Sequence, residues 1–128
     1  MLKGTNFELR QSSPKRGHKG RIMGTATCDE ADLHLALAPG SDVALFNRLF
    51  SAIHDSGAVD SAYLTHTEGF VPTLEAASTT DVSVTGLSEA EIEAFTRLWI
   101  GTDKVVTVFS QGVNQSSSGS DKVNAILN

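Results

Sequence analysis

Cysteine is nearly missing from this chain, and its scarcity removes whole classes of chemistry. Cys28 stands alone among 128 residues, so the sequence holds no internal disulfide, no zinc knuckle and no thiolate set for an iron–sulfur cluster of its own. Long apolar runs are missing too. No stretch approaches the ~20 apolar residues of a membrane-spanning helix, and the N-terminus lacks the apolar run of a secretory signal. A cytoplasmic chain without a membrane partner is the expectation. Metal and nucleophile signatures are equally thin. His18, His34, His54 and His66 show no metal-ligand spacing; His34 reads as a sheet-face residue and His54 as a solvated late-helix residue. Cys28 has no nearby His or second Cys and reads as an inert thiol. No serine sits in a nucleophile elbow, and Glu89, Glu91 and Glu93 form a solvated helix start rather than an acid–base pair. The sequence therefore assigns no catalytic residue and no metal ligand.

What is present suits one soluble domain: 40% hydrophobic and 20% charged residues, with length enough for a core. The formal charge of −5 hides a split. Lys3, Arg10, Lys15, Arg16, Lys19 and Arg21 face only Glu8 in residues 1–23, leaving −10 on the rest. Phosphate binding needs Lys and Arg, so that acidic body predicts no nucleic-acid partner. Residues 1–24 collect Ser, Pro and Gly without sustained period and read as a basic arm, disordered or divergent, with a short strand at residues 21–23 as the one regular element. Residues 25–128 read as the folded domain.

Order begins at Asp32. Leu33, Leu35 and Leu37 alternate with His34 and Ala36, the period of a strand, until Pro39-Gly40 breaks it. Val43, Phe46, Leu49, Phe50 and Ile53 then recur at helical spacing. Ser41 is placed to cap that helix, Asp42 to meet its dipole and Gly57 to end it. Shorter helical pieces follow at residues 60–66 and 72–78, with a loop at 79–81. Ser88 and Glu91 spell a capping box, flanked by Leu87 and Ile92 at the staple positions. Ile92, Phe95, Leu98 and Trp99 form the buried stripe of that helix, and Gly101 stops it. Val105, Val106, Val108 and Phe109 read as a strand covered on both faces. A loop over residues 111–120 leads into a last helix at 121–127, with Val123, Ile126 and Leu127 apolar. The predicted fold class is α/β: a partial Rossmann-like domain with a small, mostly parallel sheet and four to five helices. Two strands are few for a sheet, which implies a piece of a larger one.

Open α/β sheets place ligands where strands run into helices, and two segments stand there. The first is Pro39-Gly40-Ser41-Asp42. A helix start attracts anions, but the Asp42 carboxylate opposes a phosphate beside it. It suits a base edge carrying two donors, such as guanine N1–H and the exocyclic amine. The bland alternative is that Ser41 caps, Asp42 meets the dipole and nothing binds. The second is the run from Ser110-Gln111-Gly112 through Val113-Asn114-Gln115 to Ser120. It is rich in neutral donors and acceptors, with Gly112 and Gly119 permitting close approach. It is neither a dinucleotide glycine fingerprint nor a P-loop. It suits a heterocycle dense in nitrogen and oxygen, or a pyrophosphate held by main-chain N–H groups, or else serves as a Ser-rich connector.

This second segment, continuing as Ser116-Ser117-Ser118-Gly119-Ser120-Asp121-Lys122-Val123-Asn124-Ala125-Ile126-Leu127-Asn128, closely resembles the catalytic subunit of bacterial assimilatory nitrate reductases. Ala31-Asp32-Leu33-His34-Leu35-Ala36-Leu37-Ala38-Pro39-Gly40-Ser41-Asp42-Val43 is similar to an earlier segment of the same subunit. His66-Thr67-Glu68-Gly69-Phe70 and Val84-Thr85-Gly86-Leu87-Ser88 fall in order between them. The short motifs are shared across molybdopterin oxidoreductases, formate dehydrogenases included. The resemblance implies part of a domain that holds one of two molybdopterin guanine dinucleotides around molybdenum. It implies Gly40, Ser41 and Asp42 at the guanosine end. Gln111 and Gln115 fall nearer the pterin, with Gly112 and Asn114 as supporting positions. The implied parental chemistry is two-electron reduction of nitrate to nitrite, with electrons arriving through a 4Fe–4S centre that this chain does not ligate. The implied partners are the remaining domains of the reductase.

The departures count as well. Relatives carry Asp-Pro-Arg-Arg-Thr where this chain has Arg21-Ile22-Met23-Gly24-Thr25. The cysteine cluster, the molybdenum ligand and the C-terminal barrel of the family are unmatched, so the expectation is a fragment that is inactive alone. Two readings stay beside it: a non-catalytic interaction or regulatory module derived from that scaffold, and a small guanine-nucleotide binder using Asp42.

Overall fold

The computed structural model describes residues 7–11 (backbone only), 30–109 and 111–128. The strand expected at residues 21–23, most of the arm, and Cys28, His18 and Ser110 lie outside them. Alternation over residues 33–37 produces β2 (Leu33–Leu37), which pairs in parallel with β1 (Phe7–Gln11) in the register Phe7↔Leu33 to Gln11↔Leu37. The chain then folds into helices: α1 (Asp42–Asp55), α2 (Ser61–Leu64), α3 (Phe70–Ser78), a 3-10 turn (Val82–Thr85), α4 (Glu89–Ile100), α5 (Gln111–Asn114) and α6 (Gly119–Leu127).

α1 is the hub, and α3, α4, α6 and the 3-10 turn all pack on it. Its apolar stripe of Leu45, Phe46 and Leu49 shares one buried cluster with Leu35 and Leu37 of β2, Phe95 of α4 and Ala125 of α6. Trp99 closes the cluster edge-on to both Phe46 and Phe95, with centroids 6.2 and 5.7 Å away. Phe70 of α3 meets Phe50 of α1 at 5.6 Å, which fixes the opposite flank. Edge-to-face pairs contribute about 1 kcal/mol beyond their buried area.

The helix ends follow their sequence signals closely. Behind α1, Gly57 (φ +72) donates its N–H to the His54 carbonyl and Ala58 donates to Ile53. This is the paired closure of a left-handed glycine stop. Ser88 and Glu91 complete the capping box: the Glu91 carboxylate accepts from the Ser88 N–H at 2.8 Å, and the Ser88 hydroxyl accepts from the Glu91 N–H at 3.4 Å. The Ser88 hydroxyl, which donates to the Glu91 carboxylate at 2.6 Å, and the Ser88 N–H together hold the exposed Glu91 carboxyl below the usual glutamate range. Ser83 acts likewise on Asp81 at the 3-10 turn.

The architecture corrects the predicted fold class. The described residues are mostly helical, and their one ladder is the two-stranded pairing of β1 with β2. They do not form an α/β Rossmann-like domain with its several-stranded sheet. The departure lies at residues 105–109, which adopt no regular structure. Val106 and Val108 are 83% and 88% exposed, where a doubly covered strand would bury both. A strand needs a hydrogen-bonding neighbour as well as apolar side chains, and no other described segment runs beside these residues as one. A second difference is local. Residues 111–114 form a short helix where a loop was expected.

Candidate functional site

The first turn is locked from behind. As the chain leaves β2, the Ala38 N–H donates to the Thr85 carbonyl at 2.9 Å. Thr85 is fully buried; its hydroxyl donates to the Val82 carbonyl at 2.8 Å and accepts from the Leu87 N–H at 3.2 Å. Gly40 reverses the chain at φ +83. Ser41 occupies the N-cap position but does not cap α1 with its side chain. Its hydroxyl turns back and donates to the Ala38 carbonyl at 2.8 Å. The capping role expected of Ser41 is therefore replaced by closure of the turn that precedes it.

Asp42 opens α1 where the dipole favours a carboxylate, yet its side chain faces inward and is only 10% exposed. Its Oδ2 lies 3.2 Å from Nζ of Lys122, whose side chain is 8% exposed. Lys122 sits near the start of α6, where the helix dipole disfavours a cation. Burial and dipole both penalise that ammonium, and the Asp42 carboxylate offsets both.

The second segment is built differently. The Gln115 N–H donates to the Gln111 carbonyl at 3.1 Å, extending α5 by one bond. The Ser116 hydroxyl then closes on the Val113 carbonyl at 2.8 Å. A Cβ on Gly119 would collide with the Asn114 carbonyl, so glycine there lets α6 fold tightly back on α5. Gln111, Gly112, Asn114 and Gln115 are all exposed.

Of the seven residues singled out from the sequence, Ser41 and Asp42 are buried and the other five, Gly40 included, are exposed. The contact with the first segment comes from Lys122 of α6, two residues past the second segment, rather than from a glutamine within it. Lys122 and Thr85 were both missed. Thr85 carried no signal, but Lys122 shares the α6 face of Ala125 and Ile126 at i+3 and i+4, and a lysine on an apolar face implies a buried counter-charge. A separate groove of about 420 Å3 opens between α1, α3 and α6, with Val43, Asn47, Thr73, Ala77, Asp121 and Asn124 on its walls. None of the seven residues lines it. Among the described residues, no group of three or more His, Cys, Asp or Glu could hold a metal ion, and no helix is long and apolar enough to cross a membrane.

Comparison with known proteins places the chain beside oxidoreductases. It is 42% identical over 104 residues to a nitrate reductase of Klebsiella oxytoca, covering 81% of this chain and 12% of that protein. A nitrate reductase of Shewanella frigidimarina is also 42% identical, over 113 residues, 83% of this chain and 12% of its own. The assimilatory nitrate reductase of Haloferax mediterranei is 32% identical over 108 residues, 81% of this chain and 15% of its own. Formate dehydrogenases match at lower identity. The chain is thus a homologue of the nitrate reductases, matching them as a partial domain over 81% of its length, and it spans 12% of the length of the first two relatives. No family model and no solved structure matches.

Proposed function

We propose that this chain supplies part of the cofactor-binding surface of a cytoplasmic molybdopterin oxidoreductase of assimilatory nitrate reductase type. Gly40, Ser41 and Asp42 serve the guanosine end of a molybdopterin guanine dinucleotide. Gln111 and Gln115 serve the pterin side, with Gly112 and Asn114 supporting them. Residues 25–128 are the cofactor-binding part, and residues 1–24 form an arm of which Phe7–Gln11 pairs alongside β2.

One observation carries the reading: Lys122 of α6, the helix that follows the second segment, meets Asp42 of the first through a buried 3.2 Å contact, so chain stretches far apart in sequence become neighbours. The donor set fits the ligand in chemistry. A carboxylate accepts from guanine N1–H and its amine together, while exposed amides suit the many heteroatoms of a pterin. A Cβ at Gly40 or Gly112 would meet nothing within 4 Å, which leaves the backbone open to a flat ligand. The bound cofactor supplies the oxygen-atom transfer that reduces nitrate to nitrite. This chain contributes binding and orientation only. The rest of the reductase supplies the molybdenum ligand and the 4Fe–4S centre.

A guanine nucleotide titration tests the reading. Guanosine 5′-monophosphate added to the isotopically labelled chain shifts the amides of Gly40 and Asp42, and adenosine 5′-monophosphate at equal concentration does not. Equal responses to both nucleotides, or nitrate turnover by the purified chain without other subunits, would overturn it.

A further inference from the structure

Asp42 supplies only half of what a guanine edge offers. Beside the N1–H and amine donors lies O6, an acceptor, which lysine reads in other settings. The ammonium of Lys122 stands 3.2 Å from the Asp42 carboxylate, so one donor and one acceptor lie side by side in the order that edge requires. Adenine presents the reverse order at the matching positions, a donor at N6 and an acceptor at N1. We infer that Lys122 is the second base-recognition group of this site: its ammonium donates to guanine O6 while Asp42 accepts from N1–H and the amine. The inference rests on the guanosine assignment of Asp42 made above.

Energetics point the same way. Both side chains are at least 90% buried, and a well-packed apolar pair of similar volume commonly matches or exceeds such an ion pair in stability. Lys122 also stands near the positive end of α6. The dipole of α1 favours Asp42 as the dipole of α6 opposes Lys122, so what remains is a pair that costs desolvation twice and gains little in stability over apolar side chains. An entering base replaces the direct Lys122–Asp42 contact with two sets of hydrogen bonds, leaving neither charge unpaired.

Two nucleotide analogues separate the roles. The 6-thio analogue of guanosine monophosphate keeps N1–H and the amine but replaces O6 with a poorly accepting sulfur. Inosine monophosphate keeps O6 and N1–H but lacks the amine. The full 128-residue chain should favour guanosine monophosphate over each analogue by about tenfold. Lys122→Met should abolish the preference over the thio analogue and retain that over inosine monophosphate. Lys122→Arg should restore the first preference. Asp42→Asn should erase mainly the second.

A readout on the unmodified chain covers the case in which Lys122→Met does not fold. The Lys122 side-chain resonances should move with guanosine monophosphate and much less with the thio analogue. Either Lys122→Met with an undiminished oxygen-over-sulfur preference, or Lys122 resonances that stay still while the nucleotide binds, overturns the inference and leaves the guanosine assignment standing. Failure of the chain to prefer guanine over adenine overturns both.

Discussion

Residues 33–37 and 105–109 are short, apolar and each followed by a helix, yet they end in opposite environments. Leu35 and Leu37 are fully buried, while Val106 and Val108 are almost wholly exposed. Composition does not explain this, since Val and Phe favour strands more than Leu and Ala do. The difference lies in what each segment finds beside it. β2 has β1 along one edge, and the tight turn after it folds α1 directly over Leu35 and Leu37. Residues 105–109 run into α5, which buries nothing, and it is the next helix, α6, that turns into the core through Lys122 and Ala125. Apolar character marks a segment as able to be buried, and a neighbour decides whether it is.

The strongest attack on that contrast is Leu37→Ala. Removing a fully buried leucine should cost about 4 kcal/mol, seen as a lower urea midpoint with Trp99 fluorescence as the probe. A loss below about 1 kcal/mol would place β2 on the same footing as residues 105–109. Next in size is Lys122→Ala, which removes the cation facing the buried Asp42 carboxylate and should cost about 3 kcal/mol. Adding Asp42→Asn to it should recover part of that loss. Additive losses in this double-mutant cycle would show that the contact at 3.2 Å does not couple α6 to α1.

Ser88→Ala is smaller, about 1 kcal/mol for a lost N-cap, and it carries a pH signature. The Glu91 carboxyl is held below the ordinary glutamate range by its bonds from Ser88. A group with a depressed folded-state pKa stabilises fully above its unfolded value and loses that contribution as pH falls through the folded one. The gap between Ser88→Ala and the parent chain should therefore be widest near neutral pH and narrow in acid. A gap unchanged from pH 7 to acid would separate the cap from the carboxylate's charge.

Much of the helical layer was legible from residue order alone. The stripe of α1, the glycine stop at Gly57 and the Ser88–Glu91 box depend on neighbours within about four positions, so local spacing reports them. The sheet was not legible, because a ladder joins residues far apart in sequence. β1 lies in a stretch without sustained period, and residues 105–109 carry a strand pattern without a strand's surroundings. The site divides in the same way. Residues 39–42 were located by their break and their carboxylate, whereas the Lys122 that faces Asp42 stands 80 positions later, and only folding brings the two together.

The smallest effect is also the sharpest test of the opening contrast. Val108→Lys introduces a charge at a position 88% exposed, where surface substitutions usually change stability by less than about 0.5 kcal/mol. The same change in a strand covered on both faces would bury an unpaired ammonium, an outcome costly enough to unfold a small domain. A melting temperature within about two degrees of the parent is therefore expected. A collapse of the folded state would mean that residues 105–109 are covered in solution after all, and the argument that a missing neighbour left them exposed would fail with it.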